Sequence, residues 1–233
     1  MEGGYDLRAP VEAVAALRAG GFDVVSLANN HALDAGESGL RETVAALRAV
    51  GIGALVNGAS VESPGCSSFT MSRPTDLPGC CLLAFDDSVA ALDVDSAARA
   101  VAAAARRSDV VIVSIHWGGE YQAAPGPRQR AVARALADAG AGLIVGHGPH
   151  VPQRVEWVGE TLVAYSLGNF LFDQPYPADC RWGVILRVTF DNGRIVAVEP
   201  LPTVVAQGRV KPASPEDAAA ILARLNLEPR NPE

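Results

Sequence analysis

Residues 142–150 read Gly-Leu-Ile-Val-Gly-His-Gly-Pro-His, and the two halves of that stretch belong to different kinds of structure. Leu143, Ile144 and Val145 form an unbroken apolar run, the pattern of a strand covered on both faces. Gly148-Pro149 then bars continuation as helix or ladder. A strand covered on both faces needs layers above and below it, so the chain is expected to be α/β. Its two histidines fall at the strand's carboxyl end, where open α/β sheets place ligands. The chain's other two histidines, His31 and His116, also follow apolar runs.

The rest of the chain extends this pattern. A helix is expected over Pro10 to Gly20 with Val11, Val14, Ala15 and Leu17 inward, followed by a strand over Phe22 to Leu27 that ends in Ala28-Asn29-Asn30-His31. A helix from Ser38, with Leu40, Val44 and Leu47 on one face, precedes a strand over Ile52 to Val56. Two βα units in succession predict a mostly parallel sheet with crossover helices. Asn57 to Gly79 reads as loop or edge hairpin, with a short strand at Ser68 to Met71. Cys80 to Phe85 is an apolar run and Asp93 to Arg107 an alanine-rich helix exposing Arg99, Arg106 and Arg107. Asp109 to Ile115 is the clearest strand; it delivers His116-Trp117-Gly118-Gly119-Glu120-Tyr121. Pro127 to Gly140 is helical, with Val132, Ala135, Leu136 and Ala139 inward.

Beyond His150 four strands are expected, at Arg154 to Trp157, Thr161 to Tyr165, Trp182 to Phe190 and Arg194 to Pro200. Their turns, the last at Asp191-Asn192-Gly193, predict an antiparallel second half facing the first as a second sheet. A last helix spans Pro215 to Leu225.

Composition excludes some functions. With 233 residues, 49% hydrophobic and 19% charged, the chain can bury a full core, and it has no apolar run long enough for a membrane span. A net charge of −7 with Lys211 as the one lysine argues against nucleic acid as a partner, which needs clustered cations. Cys66, Cys80, Cys81 and Cys180 form no C-x-x-C pair, so they are expected to be small buried hydrophobes rather than zinc ligands or disulfides. No basic and apolar leader follows Met1, so the chain as written is expected to stay in the cytoplasm.

Asn30, His31, His116, His147 and His150 each sit in a polar turn directly after an apolar strand, and parallel strands bring such ends to one edge. Imidazole with amide or carboxylate oxygen suits Zn, Mn or Fe rather than the all-oxygen shells of Ca and Mg. Two such ions roughly 3.5–4 Å apart could clamp a phosphoester and lower the pKa of a bound water to near 7, making it the nucleophile. Asp34 and Glu120 lie in the same turns and could hold imidazole tautomers from behind. Asn169 and Asp173 occupy the turn after the strand ending at Tyr165. Trp117, Tyr121 and Tyr165 are candidates for a substrate groove or for core. Gly-x-Ser-x-Gly and a P-loop are both absent.

Four segments in order resemble the CapA family of poly-γ-glutamate capsule biosynthesis proteins, related to the calcineurin-like metallophosphoesterases. They are Gly21 to His31 with Asp34 and Gly36, His116 to Tyr121, Gly146 to Val151 with Gln153, and Tyr165 to Phe170. The resemblance covers about residues 5 to 205. It implies two facing mixed β-sheets flanked by helices, a four-layer αββα sandwich over residues 1–210, with a C-terminal helix and tail at 211–233. It further implies Asn30, His116, His147 and His150 as metal ligands. The sequence departs from the family in one respect: members usually begin with a strand ending in Gly-Asp and an Asn-Leu-Glu segment, and this sequence starts after both.

The expectation is therefore an N-terminally truncated metallophosphoesterase fold, with His31 as general acid beside Asp34, and Glu120, Tyr121, Asn169 and Asp173 around substrate or ligands. Its substrate would be a polymer or phosphoester, its cofactor a pair of divalent ions, and its partners membrane-bound capsule synthase subunits; such proteins are typically membrane-anchored and face outward. The alternatives are a non-catalytic relative that binds polymer or partner, and an intracellular phosphoesterase acting on a small nucleotide or sugar phosphate.

Overall fold

The structure is a computed structural model and describes residues 7–57, 79–172, 174 and 176–228. Asp173, Cys66 and the short strand expected at Ser68 to Met71 lie outside the described residues. Among those described, the elements run α1 (Ala13–Ala19), β1 (Val24–Ser26), α2 (Gly36–Ala49), β2 (Gly53–Leu55), β3 (Cys80–Asp86), α3 (Val94–Ala105), β4 (Val110–His116), α4 (Pro127–Asp138), β5 (Leu143–His147), β6 (Val155–Val158), β7 (Thr161–Ala164), β8 (Trp182–Asp191), β9 (Arg194–Ala206), β10 (Arg209–Pro212) and α5 (Pro215–Leu225).

The main sheet has the order β3-β4-β5-β7-β6. Its first four strands are parallel, and β6 returns antiparallel to β7. The side chains of β4 explain why it lies inside: Val111, Val113 and Ile115 point to one face and are almost fully buried. They meet Val101 and Ala104 of α3 and Val132 and Leu136 of α4. The opposite face, through Leu143, Leu162 and Ala164, packs on Val184 of β8 and on Ile221 and Leu225 of α5. Strands β8, β9 and β10 form the second sheet. The expected pair of facing sheets flanked by helices is thus present.

Three expectations need correction. Strands β6 and β7 extend the first sheet rather than joining the second, because β7 runs parallel to β5 over Leu143 to Val145; a hairpin signal between two strands does not say which sheet edge they continue. Strand β9 runs past Pro200 to Ala206 and is followed by β10. Cys81 is disulfide-bonded, while Cys80 and Cys180 are free, so the four cysteines are not all simple buried hydrophobes.

Strands β1 and β2 pair in parallel as a separate ribbon. Ala28 and Leu55 join it to Ala84 of β3 in a small apolar cluster, so its carboxyl end lies beside those of the main sheet. Helix α1 buries no residue, although its apolar spacing is helical.

Candidate metal and catalytic site

The register of the parallel strands places three polar side chains in one row. Asp86 ends β3 opposite His116 of β4, and His116 stands opposite His147 of β5. Paired residues of parallel strands share a face, so all three project to the side that carries the second sheet. The His116 and His147 rings meet edge to face with centroids 5.8 Å apart. His147 Nε2 lies 3.2 Å from Ser114 Oγ, one pleat back on β4.

Glycine makes this close packing possible. A Cβ at Gly146 would collide with Tyr165 O and Trp117 Nε1, and one at Gly148 would fall 2.5 Å from Trp117 O. The turns that leave β4 and β5 are stitched together there: Trp117 N–H donates to His147 O and Tyr121 N–H to Pro149 O, both at 2.8 Å. Tyr121 and His150 each adopt φ of 62°, a left-handed conformation rare for such side chains and tolerated where the surroundings fix it.

His150 is held from behind. Its Nδ1 lies 2.9 Å from Asn169 Oδ1, while Asn169 Nδ2 donates to Cys180 O at 2.9 Å and to Gln174 Oε1 at 3.3 Å. Since the amide nitrogen is donating, Oδ1 accepts, so His150 Nδ1 donates to it and Nε2 lies outside this bond. Phe172 lies against the ring at 5.3 Å and Tyr121 at 6.2 Å, centroid to centroid. His31 repeats the arrangement, with Nδ1 2.9 Å from Asp34 Oδ2. A cleft of about 610 Å³ between α1, β1 and α2 opens beside this pair.

Electrostatics link the histidines. Burial, reinforced by the neighbouring His116, pushes His147 down to about 4, so it is neutral at pH 7. Burial also lowers His116, opposed by the Asp86 carboxylate and assisted by His150 and His31. Glu120 acts on His116 as well, so the turns of β1, β4 and β5 share one electrostatic neighbourhood. Asn30 is exposed in the same β1 turn, and no described hydrogen bond ties its side chain to the histidines. Trp117 and Tyr165 are core residues, almost fully buried and stacked; only Tyr121 of the three aromatic candidates is exposed at the site.

By chemical type alone, imidazole and amide donors suit a divalent ion. A ligating imidazole characteristically has its other nitrogen proton held by a carbonyl or carboxylate, as His150 and His31 do here. Among the described residues no group of three or more His, Cys, Asp or Glu side chains is gathered into a ready cage. Asp86 and Ser114 are not among the expected site residues. Asp86 follows Phe85 as His116 follows Ile115, so the rule that singles out the histidines finds it too once it is applied to carboxylates.

Comparison with known proteins gives a consistent result. The profile of the family described as "Bacterial capsule synthesis protein PGA_cap" matches residues 1–68 and 56–174. The chain is 33% identical over 227 residues to "Capsule biosynthesis protein CapA" of Bacillus anthracis, covering 89% of this chain and 54% of that protein. It is 37% identical over 174 residues to "PGA biosynthesis protein CapA" of Bacillus subtilis (strain 168), covering 70% and 46%. The match to a "Probable polyglutamine synthesis accessory protein" of Mycobacterium tuberculosis is 31% over 239 residues, covering 89% and 61%. The chain thus spans about half the length of the first two relatives. In fold it is similar to a hypothetical protein from Thermus thermophilus, with TM-score 0.59 at 18% identity over 82% of this chain and 80% of that one.

Proposed function

From the premise that the chain belongs to the bacterial capsule synthesis protein family PGA_cap, we propose that it acts in the biosynthesis of capsular poly-γ-glutamate or a similar surface polymer through a metal-dependent, phosphoesterase-type hydrolase site. The observation that carries this reading is the in-register meeting of His116 and His147 at the carboxyl ends of β4 and β5. His150, with Nε2 outside its bond to Asn169, stands in the adjoining turn. In this reading Asn30, His116, His147 and His150 hold the metal.

Divalent ions bound there supply Lewis-acid polarisation of a phosphoryl oxygen and acidify water. The chain's own side chains do the rest. Asp34 fixes His31 through Nδ1, which leaves Nε2 as the atom that delivers a proton to a leaving group. Tyr121 and Phe172 flank His150. The acids near the histidines, Asp34, Asp86 and Glu120, offer an anionic polymer or phosphoester no attraction, and Arg128 is committed to Asp87 by bonds of 3.0 and 2.8 Å. A bound cation would answer that repulsion.

The disulfide at Cys81 suits an oxidising compartment and supports a site that works outside the cytoplasm. No helix among the described residues is long and apolar enough to cross a membrane; capsule synthase subunits in the membrane are proposed as partners.

The test is metal content of the purified chain by elemental analysis, together with hydrolysis of a generic phosphodiester in Mn2+ or Zn2+. His116→Ala and His147→Ala are expected to lose both metal and activity. Activity indifferent to both changes would overturn the hydrolase reading. A folded chain that binds polymer but neither holds metal nor hydrolyses would instead establish the non-catalytic, polymer- or partner-binding alternative.

A further inference from the structure

We infer that the edge where α4 meets β6 is the docking track of an anionic polymer, held through its carboxylates by Arg130, Arg134 and Arg154. The inference rests on the polymer-biosynthesis reading above and goes beyond its histidine site, whose acids repel such a chain.

Strand β6 is the outermost strand of the main sheet. Its Glu156 lies 3.7 Å from Arg130 Nη1 of α4 and accepts from Tyr165 O–H at 3.0 Å. Arg154, just before the strand, brings Nε to 2.9 Å from Glu156 Oε2. That buried Nε nevertheless donates no hydrogen bond, so the contact is a misaligned ion pair. The Arg130 guanidinium carbon stands 5.9 Å from the centroid of the Tyr165 ring. Arg134, a helical turn further on, acts on the same phenol: burial and then Glu156 push Tyr165 up to about 12, against the pull of Arg130 and Arg134. Three guanidinium groups thus gather round Glu156, and Glu228 approaches Arg154 only to 4.0 Å.

Most of their donors are unspent. A guanidinium offers five N–H groups. Among the described residues the Arg134 side chain makes no hydrogen bond or ion pair, not even with Asp138 a turn beyond it. Arg130 has only its 3.7 Å contact, too long for a hydrogen bond. By contrast Arg128, Arg187 and Arg224 each hold a carboxylate oxygen at 2.8 Å or less. In a chain of net charge −7, an uncommitted cationic cluster decides where a polyanion makes contact.

Spacing and position fit a polycarboxylate. Arg130 and Arg134 are separated by about 6 Å along the helix axis. A γ-linked glutamate repeat carries one carboxylate and, two C–C bonds longer than an α-linked residue, also spans about 6 Å. Arg154 belongs to the segment that runs on from His150, and its carbonyl accepts from Tyr165 N–H at 3.1 Å. The track therefore starts at the sheet edge that carries the histidines and leads away from it along α4.

Binding of a short fluorescein-labelled γ-linked glutamate oligomer to the purified chain, followed by anisotropy, tests this. EDTA is present so that no bound cation bridges the oligomer to the histidines. Arg130→Gln and Arg134→Gln alter exposed side chains of a helix. Each is expected to weaken binding about twofold to fivefold, and the two together about tenfold. The parent's own affinity is expected to fall as salt rises. Arg187→Gln removes the same charge from the second sheet and is expected to bind as the parent does. Equal affinity in the double variant and the parent, or an equal loss in Arg187→Gln, would overturn the track. A parent that binds no oligomer would overturn it as well, and hydrolysis of a generic phosphodiester by that same protein in Mn2+ reports separately whether the hydrolase reading stands.

Discussion

His150 and Asn169 come from different turns, 19 residues apart, yet His150 Nδ1 and Asn169 Oδ1 meet at 2.9 Å. The same amide spans outward to Cys180 O through Nδ2, so Asn169 fixes the tautomer of one histidine and closes the loop that follows β7. The two roles separate by substitution. Asn169→Asp keeps an acceptor for Nδ1–H but leaves Cys180 O without its donor, and is expected to lower stability by about 1–3 kcal/mol with metal affinity near that of the parent. Asn169→Ala removes both and is expected to weaken metal binding by about 10–100-fold as well. Chelator competition and urea unfolding on the two variants check the split.

A second buried link stabilises the loop that carries Glu120 and Tyr121. Gln129 Nε2 donates to Gln153 Oε1 at 3.0 Å, Gln153 Nε2 to Gln122 O at 2.7 Å, and Gly126 N–H to Gln129 Oε1 at 2.9 Å. Both amides are almost fully buried. Replacing either by Leu strands the other, at about 1–3 kcal/mol. The double replacement is expected to cost less than the two singles together, by about 0.5 kcal/mol or more. Urea unfolding of the four proteins of this cycle measures the difference, and strict additivity would mean that the amides act independently.

The legibility of the sequence follows the range of its signals. Strand β4 is readable because its residues from Val110 to Ile115 are, Ser114 apart, apolar and β-branched. Helix α5 is readable because Ser214, Pro215 and Asn226 punctuate both its ends. The convergence of His116 and His147 is readable because each follows such a run. Strand pairing is not: nothing local in Thr161 to Ala164 says that it lies beside β5, since that is settled by which apolar face finds cover. Asp86 escapes notice for a related reason. A carboxylate after a strand is common, and only the register with His116 distinguishes it. The pairing of His150 with Asn169 likewise depends on the fold bringing two turns together.

Alkylation distinguishes the described cysteines. Unfolded without reductant, the chain is expected to be alkylated at Cys80 and Cys180, and at Cys81 only after reduction. In the native state burial pushes the Cys180 thiol up to about 11 and leaves it no exposed surface. Iodoacetamide should therefore label Cys180 far more slowly than Cys80, because the thiolate is the nucleophile. Mass spectrometry of the labelled peptides reads both results, and rapid native labelling of Cys180 would mean that the loop following Asn169 opens readily.

The pH dependence of stability follows from His147. An unperturbed histidine titrates near 6.5, and burial takes this one down to about 4. Between those values the unfolded chain binds a proton at the ring that the folded chain refuses, so acid favours unfolding and stability rises with pH across the window. The contribution is complete above about pH 6.5 and is lost as the pH falls towards 4, amounting to about 3 kcal/mol in the chelator-treated protein. His116, lowered chiefly by burial, acts in the same direction. His147→Gln keeps a hydrogen-bonding partner for Ser114 but cannot charge, so its unfolding midpoint should fall less steeply than the parent's as the pH is lowered. Midpoints that decline in parallel would show that the acid sensitivity arises elsewhere.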